Sequence, residues 1–225
     1  MTIETQDDVI ALKRIGRIVS LTLQRMLDAA EPGMTTRELD LIGQRLLEEH
    51  GARSAPKLTY NFPGSTCISI NEEAAHGIPS DRVIRAGDVL NVDVSAELGG
   101  YFADTGGTTV VPPTTPQKTR LCHATLTALA EVMKTARAGQ PINRIGAAIE
   151  RTAKAYGFKI IENLASHGVG RALHEVAGTE DAMKKSIYNA LAVSGGSIIW
   201  TSFEQHGEWV PDPTRQQAPP RCSMR

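Results

Sequence analysis

Two apolar, strand-like runs that each carry one aspartate meet at a double glycine. Val89-Leu90-Asn91-Val92-Asp93-Val94-Ser95 leads through Leu98-Gly99-Gly100 into Tyr101-Phe102-Ala103-Asp104-Thr105 and on to Val111. Glycine takes up the positive φ of a tight turn, so the stretch reads as a hairpin of two antiparallel strands. With the turn centred between Leu98 and Gly99, Asp93 faces Asp104 directly across the ladder. Opposed side chains on one sheet face have Cβ atoms about 4.5–5.5 Å apart. Two ionised carboxylates at ~5 Å repel by roughly 3 kcal/mol at an effective dielectric of about 20. A shared proton or a cation offsets that repulsion, and one or two divalent ions held by both carboxylates suit a rigid strand pair. The alternative is a slipped register, or two aspartates turned to solvent.

The rest of the chain is compatible with such a site. Its 225 residues are 41% apolar and 22% charged, enough for one large or two small domains with a buried core, and too ordinary for wholesale disorder or low complexity. Twenty-four Lys and Arg against twenty-five Asp and Glu give no bulk electrostatic case for nucleic acid or an anionic membrane. Cys67, Cys122 and Cys222 form no CxxC pair, which disfavours a zinc ribbon or a disulfide scaffold and fits a reducing compartment. The N-terminus is acidic and polar rather than signal-like, and no stretch reaches transmembrane length. A cytoplasmic protein is expected.

Apolar residues from Ile10 to Met26 recur at three- and four-residue steps with basic residues between them, predicting an amphipathic helix ended by Pro32-Gly33. Thr35 followed by Glu38 is a capping box for a second helix that Gly51 closes. A loop containing Pro56 and Pro63 precedes a short strand at Thr66–Asn71. Beyond the hairpin, helices are predicted over about 117–137 and 143–156, then a strand near Phe158–Ile161. Two helices thus precede a strand twice, suggesting a two-half α/β architecture. Past Trp209, four prolines and three arginines among few apolar residues read as a disordered tail.

Two further segments carry candidate chemistry. In Ser166-His167-Gly168-Val169-Gly170-Arg171-Ala172-Leu173-His174-Glu175 the glycines let backbone approach a ligand, and a neutral imidazole is a good ligand for borderline metals. A seven-residue separation does not itself specify a zinc site. In Asn71-Glu72-Glu73-Ala74-Ala75-His76-Gly77-Ile78-Pro79, His76 follows a strand, a placement suited to a substrate contact and equally common for a surface loop.

Together these segments resemble the bacterial-type (type I) methionine aminopeptidases, metallopeptidases of the pita-bread fold. The resemblance is carried by 60–79, by Gly87–Val94, by Phe102-Ala103-Asp104-Thr105, and by His167-Gly168-Val169-Gly170 with His174-Glu175, in order and spacing over residues 8 to about 178. It implies an α+β fold, with pseudo-symmetric α/β halves around a central curved antiparallel sheet. It also implies two divalent metal ions, Co, Mn, Fe or Zn, held by Asp93, Asp104 and His167, with Asp104 bridging both. His76 and His174 would contact the scissile peptide and stabilise its tetrahedral intermediate, and Cys67 and Phe62 would line the pocket for the methionine side chain. The implied reaction is removal of the initiator methionine from nascent polypeptides by metal-hydroxide attack on the first peptide bond. A monomer associating with the ribosome would suit that substrate.

The resemblance weakens after about Gly178. The family carries two more glutamate ligands downstream, in patterns like Thr-Ile-Glu-Pro and Phe-Glu-His, and neither is plain here. Glu204, after the run Ser197-Ile198-Ile199-Trp200-Thr201-Ser202-Phe203, is the candidate carboxylate; the alternative is a solvated side chain. The expected organisation is one peptidase-like domain over 1–210 and a tail over 211–225. Competing readings are a catalytically impaired pita-bread module that binds protein, a truncated or frame-shifted aminopeptidase product, and a peptidase of the same fold acting on X-Pro bonds.

Overall fold

The computed structural model describes residues 4–175 apart from 138, 139, 142, 162, 163, 165 and 166. In chain order its elements are α1 (Gln6–Ala29), α2 (Thr36–Glu49), β1 (Arg53–Ser54), α3 (Ala55–Tyr60), β2 (Cys67–Ile70), β3 (Val89–Leu98), β4 (Tyr101–Val110), α4 (Pro116–Thr135) and α5 (Asn143–Ala155). Capping decides the starts of the first two helices. Thr5 and Asp8 satisfy each other's backbone N–H groups at α1, a capping box the sequence reading did not name, and Thr35 and Glu38 do so at α2, as the sequence predicts.

β3 is the centre of a four-stranded antiparallel sheet, with β4 on one edge and β1 and β2 following each other along the other. Its even-numbered residues Leu90, Val92, Val94 and Ala96 are fully buried in one cluster with Ile15, Val19 and Met26 of α1, Leu39 and Leu47 of α2, and Ile68 and Ile70 of β2. Burial of several large aliphatic side chains, each contributing about 1.5–3 kcal/mol, fixes which face of the strand is inside. The odd-numbered residues, Asp93 among them, therefore project from the opposite face. Gly107 of β4 lies on the helix side, where a Cβ would stand 2.9 Å from the Leu27 side chain. A smaller cluster joins α4 and α5 through Ala128, Ile149, Ala153 and Leu164.

The hairpin register differs from the sequence expectation. Leu98 pairs with Tyr101, so Asp93 lies opposite Gly106 and Asp104 opposite Ser95. The turn is Gly99-Gly100, with φ of 62° and 84°. A two-residue turn needs positive φ at both central positions, and only this centring places both glycines there. The slip is of two residues, so both aspartates keep their face and become diagonal neighbours instead of an opposed pair.

Two other expectations change. Residues read as a loop before β2 include β1 and α3, the latter started by Ser54, whose hydroxyl accepts from the Lys57 N–H, with Pro56 in its first turn. The expected strand at 158–161 is absent among the described residues, where only Ile161 takes part in an isolated bridge. The tail expected over 211–225 lies outside the described residues.

The segment after β2 folds back on that strand. The Ile68 N–H donates to the Gly77 carbonyl at 2.9 Å, and the Gly77 N–H donates to Ser69 Oγ at 3.0 Å. A Cβ on Gly77 would stand 2.1 Å from the Ile68 carbonyl oxygen, a backbone atom that cannot swing aside. Gly77→Ala is expected to destabilise the chain by about 2–3 kcal/mol, lowering its melting temperature by roughly 4–12 °C. An unchanged melting curve would show that the close approach is not required.

Candidate metal centre

The odd-numbered face of β3 and its neighbours supplies the floor of the site. Cys67 of β2 pairs with Asp93 of β3, which places thiol and carboxylate on the same face, with Asp104 diagonal to Asp93. A hydrogen bond joins the two carboxyls. Burial, and then the Asp104 charge, hold the Asp93 carboxyl well above the usual range. Burial likewise pushes Asp104 up to about 7. The Cys67 thiol is raised by burial and then by the nearby aspartates, so it stays protonated and acts as a small apolar wall.

The second side of the site is a tight hairpin. Gly168 and Glu175 exchange backbone hydrogen bonds at 3.0 and 2.8 Å, and the Phe102 N–H of β4 donates to the Gly170 carbonyl at 2.7 Å. This docks the segment holding His167 and His174 against the strand that carries Asp104. A Cβ on Gly168 would stand 2.9 Å from the Glu175 carbonyl oxygen, a backbone atom, which explains this glycine. Arg171 stacks 3.7 Å from the Tyr101 ring centroid and pairs with Asp8 at 3.2 Å, while the Tyr101 hydroxyl donates to the same Asp8 oxygen at 2.7 Å. Hydrogen bonds, that from Tyr101 foremost, hold the Asp8 carboxyl well below its ordinary range. The hairpin is thereby anchored to the start of α1.

His167 Nε2 lies 3.4 Å from Asp104 Oδ2, and both side chains are about 5% exposed (6% and 5%). Its Nδ1 is 2.9 Å from the Gly168 carbonyl, which can only accept, so Nδ1 carries the proton and Nε2 presents a lone pair. Burial lowers the His167 pKa, favouring this neutral form. The His174 ring lies 4.2 Å from that of His167, and its Nδ1 hydrogen-bonds the Tyr60 hydroxyl. Burial, then His167 and His76, lower the pKa of His174 to about 4. Burial and Asp104 raise that of Tyr60. His76 sits in the loop after β2 at φ 56°, a left-handed conformation uncommon for a residue with a Cβ, close enough to interact electrostatically with both Asp93 and His174.

Of the residues singled out in the sequence, Asp93, Asp104, His167, His174, His76 and Cys67 thus converge. Phe62 is buried, 7% exposed, two residues past Tyr60. Glu204 lies outside the described residues. Sequence reading missed Tyr60, the Arg171–Asp8 anchor and Asp40, a buried carboxylate that accepts from the Ser65 and Thr66 N–H groups and fixes the approach to β2. Tyr60 and Arg171 lie inside segments the sequence had singled out, but nothing local marks them as partners of His174 and Asp8, and the Thr5–Asp8 capping box was the one signal available for Asp8.

Asp93 Oδ1, Asp104 Oδ1, His167 Nε2 and His174 Nε2 are buried and, among the described residues, have no hydrogen-bond partner. Three of these four belong to the aspartates and to a lone pair facing them, a donor set of oxygen and imidazole nitrogen that suits a divalent cation. The residues fit such a group, but no three His, Cys, Asp or Glu side chains complete a metal cage among the described residues. Without a cation, the folded chain holds the Asp104 proton up to about pH 7, against an ordinary value of 3.8. That contribution to stability is present below about pH 4 and lost as the pH rises through 7. In chelator, wild type should therefore lose stability relative to Asp104→Asn across this interval, and added Mn²⁺ should restore it. Parallel melting profiles would contradict the burial of the charge.

A family model described as metallopeptidase family M24 matches residues 11–193. The chain is 46% identical to methionine aminopeptidase 2 of Bacillus subtilis over 204 residues, 90% of this chain and 82% of that protein. It is 48% identical to a methionine aminopeptidase of Staphylococcus epidermidis over 176 residues, 78% and 70% of the two chains. The crystal structure of methionine aminopeptidase from Rickettsia prowazekii superposes with a TM-score of 0.77 at 30% identity, covering 90% of this chain and 77% of that one. The α+β pita-bread fold expected from the sequence is the fold shared with these structures. With the family model spanning most of the chain and relatives at 46% and 48% identity, the chain belongs to metallopeptidase family M24.

Proposed function

We propose that this chain is an aminopeptidase that removes the N-terminal methionine from nascent polypeptides in the cytoplasm, using two divalent metal ions. The observation that carries the reading is the set of partnerless buried atoms on Asp93, Asp104 and His167 beside His174. The names of the relatives at 46% and 48% identity support the choice of substrate.

Asp93, Asp104 and His167 would hold the ions, with Asp104, between the other two, as the shared ligand. Glu204 is the candidate for a further carboxylate. A bound divalent ion supplies Lewis acidity toward a peptide carbonyl and lowers the pKa of water, so that a nucleophile exists near neutral pH. The protein's own groups do the rest. Cys67, kept as a thiol by burial, and the buried Phe62 form apolar lining suited to a methionine side chain. His174 presents Nε2 to the scissile peptide as a donor for the oxygen on which negative charge develops, and His76 contacts the same peptide from the β2 loop. The exclusion of water around His167 and Asp104 strengthens every such contact.

The 225-residue chain should release methionine from Met-Ala-Ser when Mn²⁺ or Co²⁺ is added, and chelator should stop it. Asp104→Ala should reduce release below detection, because it removes a ligand common to both ions. A folded chain with no metal-dependent release would favour the protein-binding module, and retained turnover in Asp104→Ala would refute the ligand assignment.

A further inference from the structure

Tyr60 is the last residue of α3, and the chain turns away after it because Asn61 adopts a left-handed conformation, φ 52°. The turn leaves the Tyr60 ring against His174, centroids 5.5 Å apart and planes tilted by 53°, with its hydroxyl hydrogen-bonded to Nδ1. His174 Nε2 is buried with no hydrogen-bond partner among the described residues, in a site where the same holds for atoms of Asp93, Asp104 and His167. Which ring nitrogen of a neutral imidazole carries the proton is decided by the bond the other nitrogen makes.

We propose that Tyr60 is a positioning residue whose O–H donates to His174 Nδ1, fixing the His174 proton on Nε2, where it can be given in a hydrogen bond to the peptide oxygen. The direction of the bond follows from acidity. A phenol, with a pKa of about 10, is a far better donor than a neutral imidazole N–H, and an imidazole nitrogen is a far better acceptor than a phenol oxygen. Both partners are already held. Asn61 ends α3 beside the site, and the hairpin bearing His174 is pinned by the Gly168–Glu175 bonds and by Arg171 on Asp8. The alternative tautomer would point a lone pair at a developing negative charge, so loss of Tyr60 should cost the chemical step more than substrate binding. The consequence for turnover rests on the reading of His174 as a contact of the scissile peptide; the tautomer does not.

The test is a ¹⁵N NMR measurement of the His174 tautomer in the full chain, metal-free and zinc-loaded, with the resonance assigned by its loss in His174→Gln. Wild type should show the Nε2–H form, and Tyr60→Phe, which keeps the ring, should show a population of Nδ1–H. In the manganese-loaded enzyme Tyr60→Phe should lower kcat on Met-Ala-Ser by about 10-fold or more with KM little changed. An Nδ1–H form in wild type, a tautomer unaffected by Tyr60→Phe, or an unchanged kcat would each overturn the proposal. The wild-type tautomer requires no variant to fold. If neither protein releases methionine, the peptidase reading falls, and the tautomer comparison still decides the role of Tyr60.

Discussion

Two carboxyl groups, Asp93 and Asp104, share one buried face of a strand pair, and the remainder of the molecule is arranged so that they stay there. In isolation the arrangement is unfavourable, because burial opposes ionisation of both carboxyls and drives both pKa values upward, with the Asp104 charge adding to the effect at Asp93. It persists because the other face of β3 is committed to the main core: Leu90, Val92, Val94 and Ala96 cannot leave α1 and α2 without exposing large apolar area. The alternation of a strand then leaves Asp93 no other side. The meeting of these carboxyls is in this sense stored in the packing of a hydrophobic core on the reverse of the sheet.

The second half of the site is brought to the first by polar contacts rather than by apolar burial. The hairpin at 168–175 hydrogen-bonds to β4 through Phe102 and Gly170, and Arg171 reaches across the β3–β4 turn to Asp8 in the capping box of α1. Asp8 therefore serves both a helix end and a loop separated from it by more than 160 residues. On the opposite side Asp40 gathers the Ser65 and Thr66 backbone donors, which sets the strand carrying Cys67. Such charge-assisted contacts hold donors at fixed angles, which a metal or a reacting peptide needs, where apolar packing alone would set position more loosely.

Much of the fold was legible in advance. Helical periodicity and the Thr35–Glu38 box located α1 and α2, and the double glycine flanked by alternating residues located β3 and β4. The residues that converge, Asp93, Asp104, His167, His174 and His76, were also legible, as residue types in order along the chain. β1 and α3 were not, since two residues of strand and six of helix carry too little periodicity to stand above the prolines around them. Neither was the contact of Tyr60 with His174, which joins side chains 114 residues apart.

The sequence by itself determined which residues could form a metal-binding face, because a period of two assigns Asp93 and Asp104 to one side whatever the exact pairing. The tertiary structure decided how they meet. The positive φ of both Gly99 and Gly100 moved the register by two, turning an opposed pair into a diagonal one without changing their face. It also decided the proton on His167, through the Gly168 carbonyl, and the company of His174, through Tyr60. Local sequence encodes periodicity and turn chemistry, which act over a few residues. Contacts between segments a hundred residues apart depend on how those pieces pack, and no short-range pattern records that.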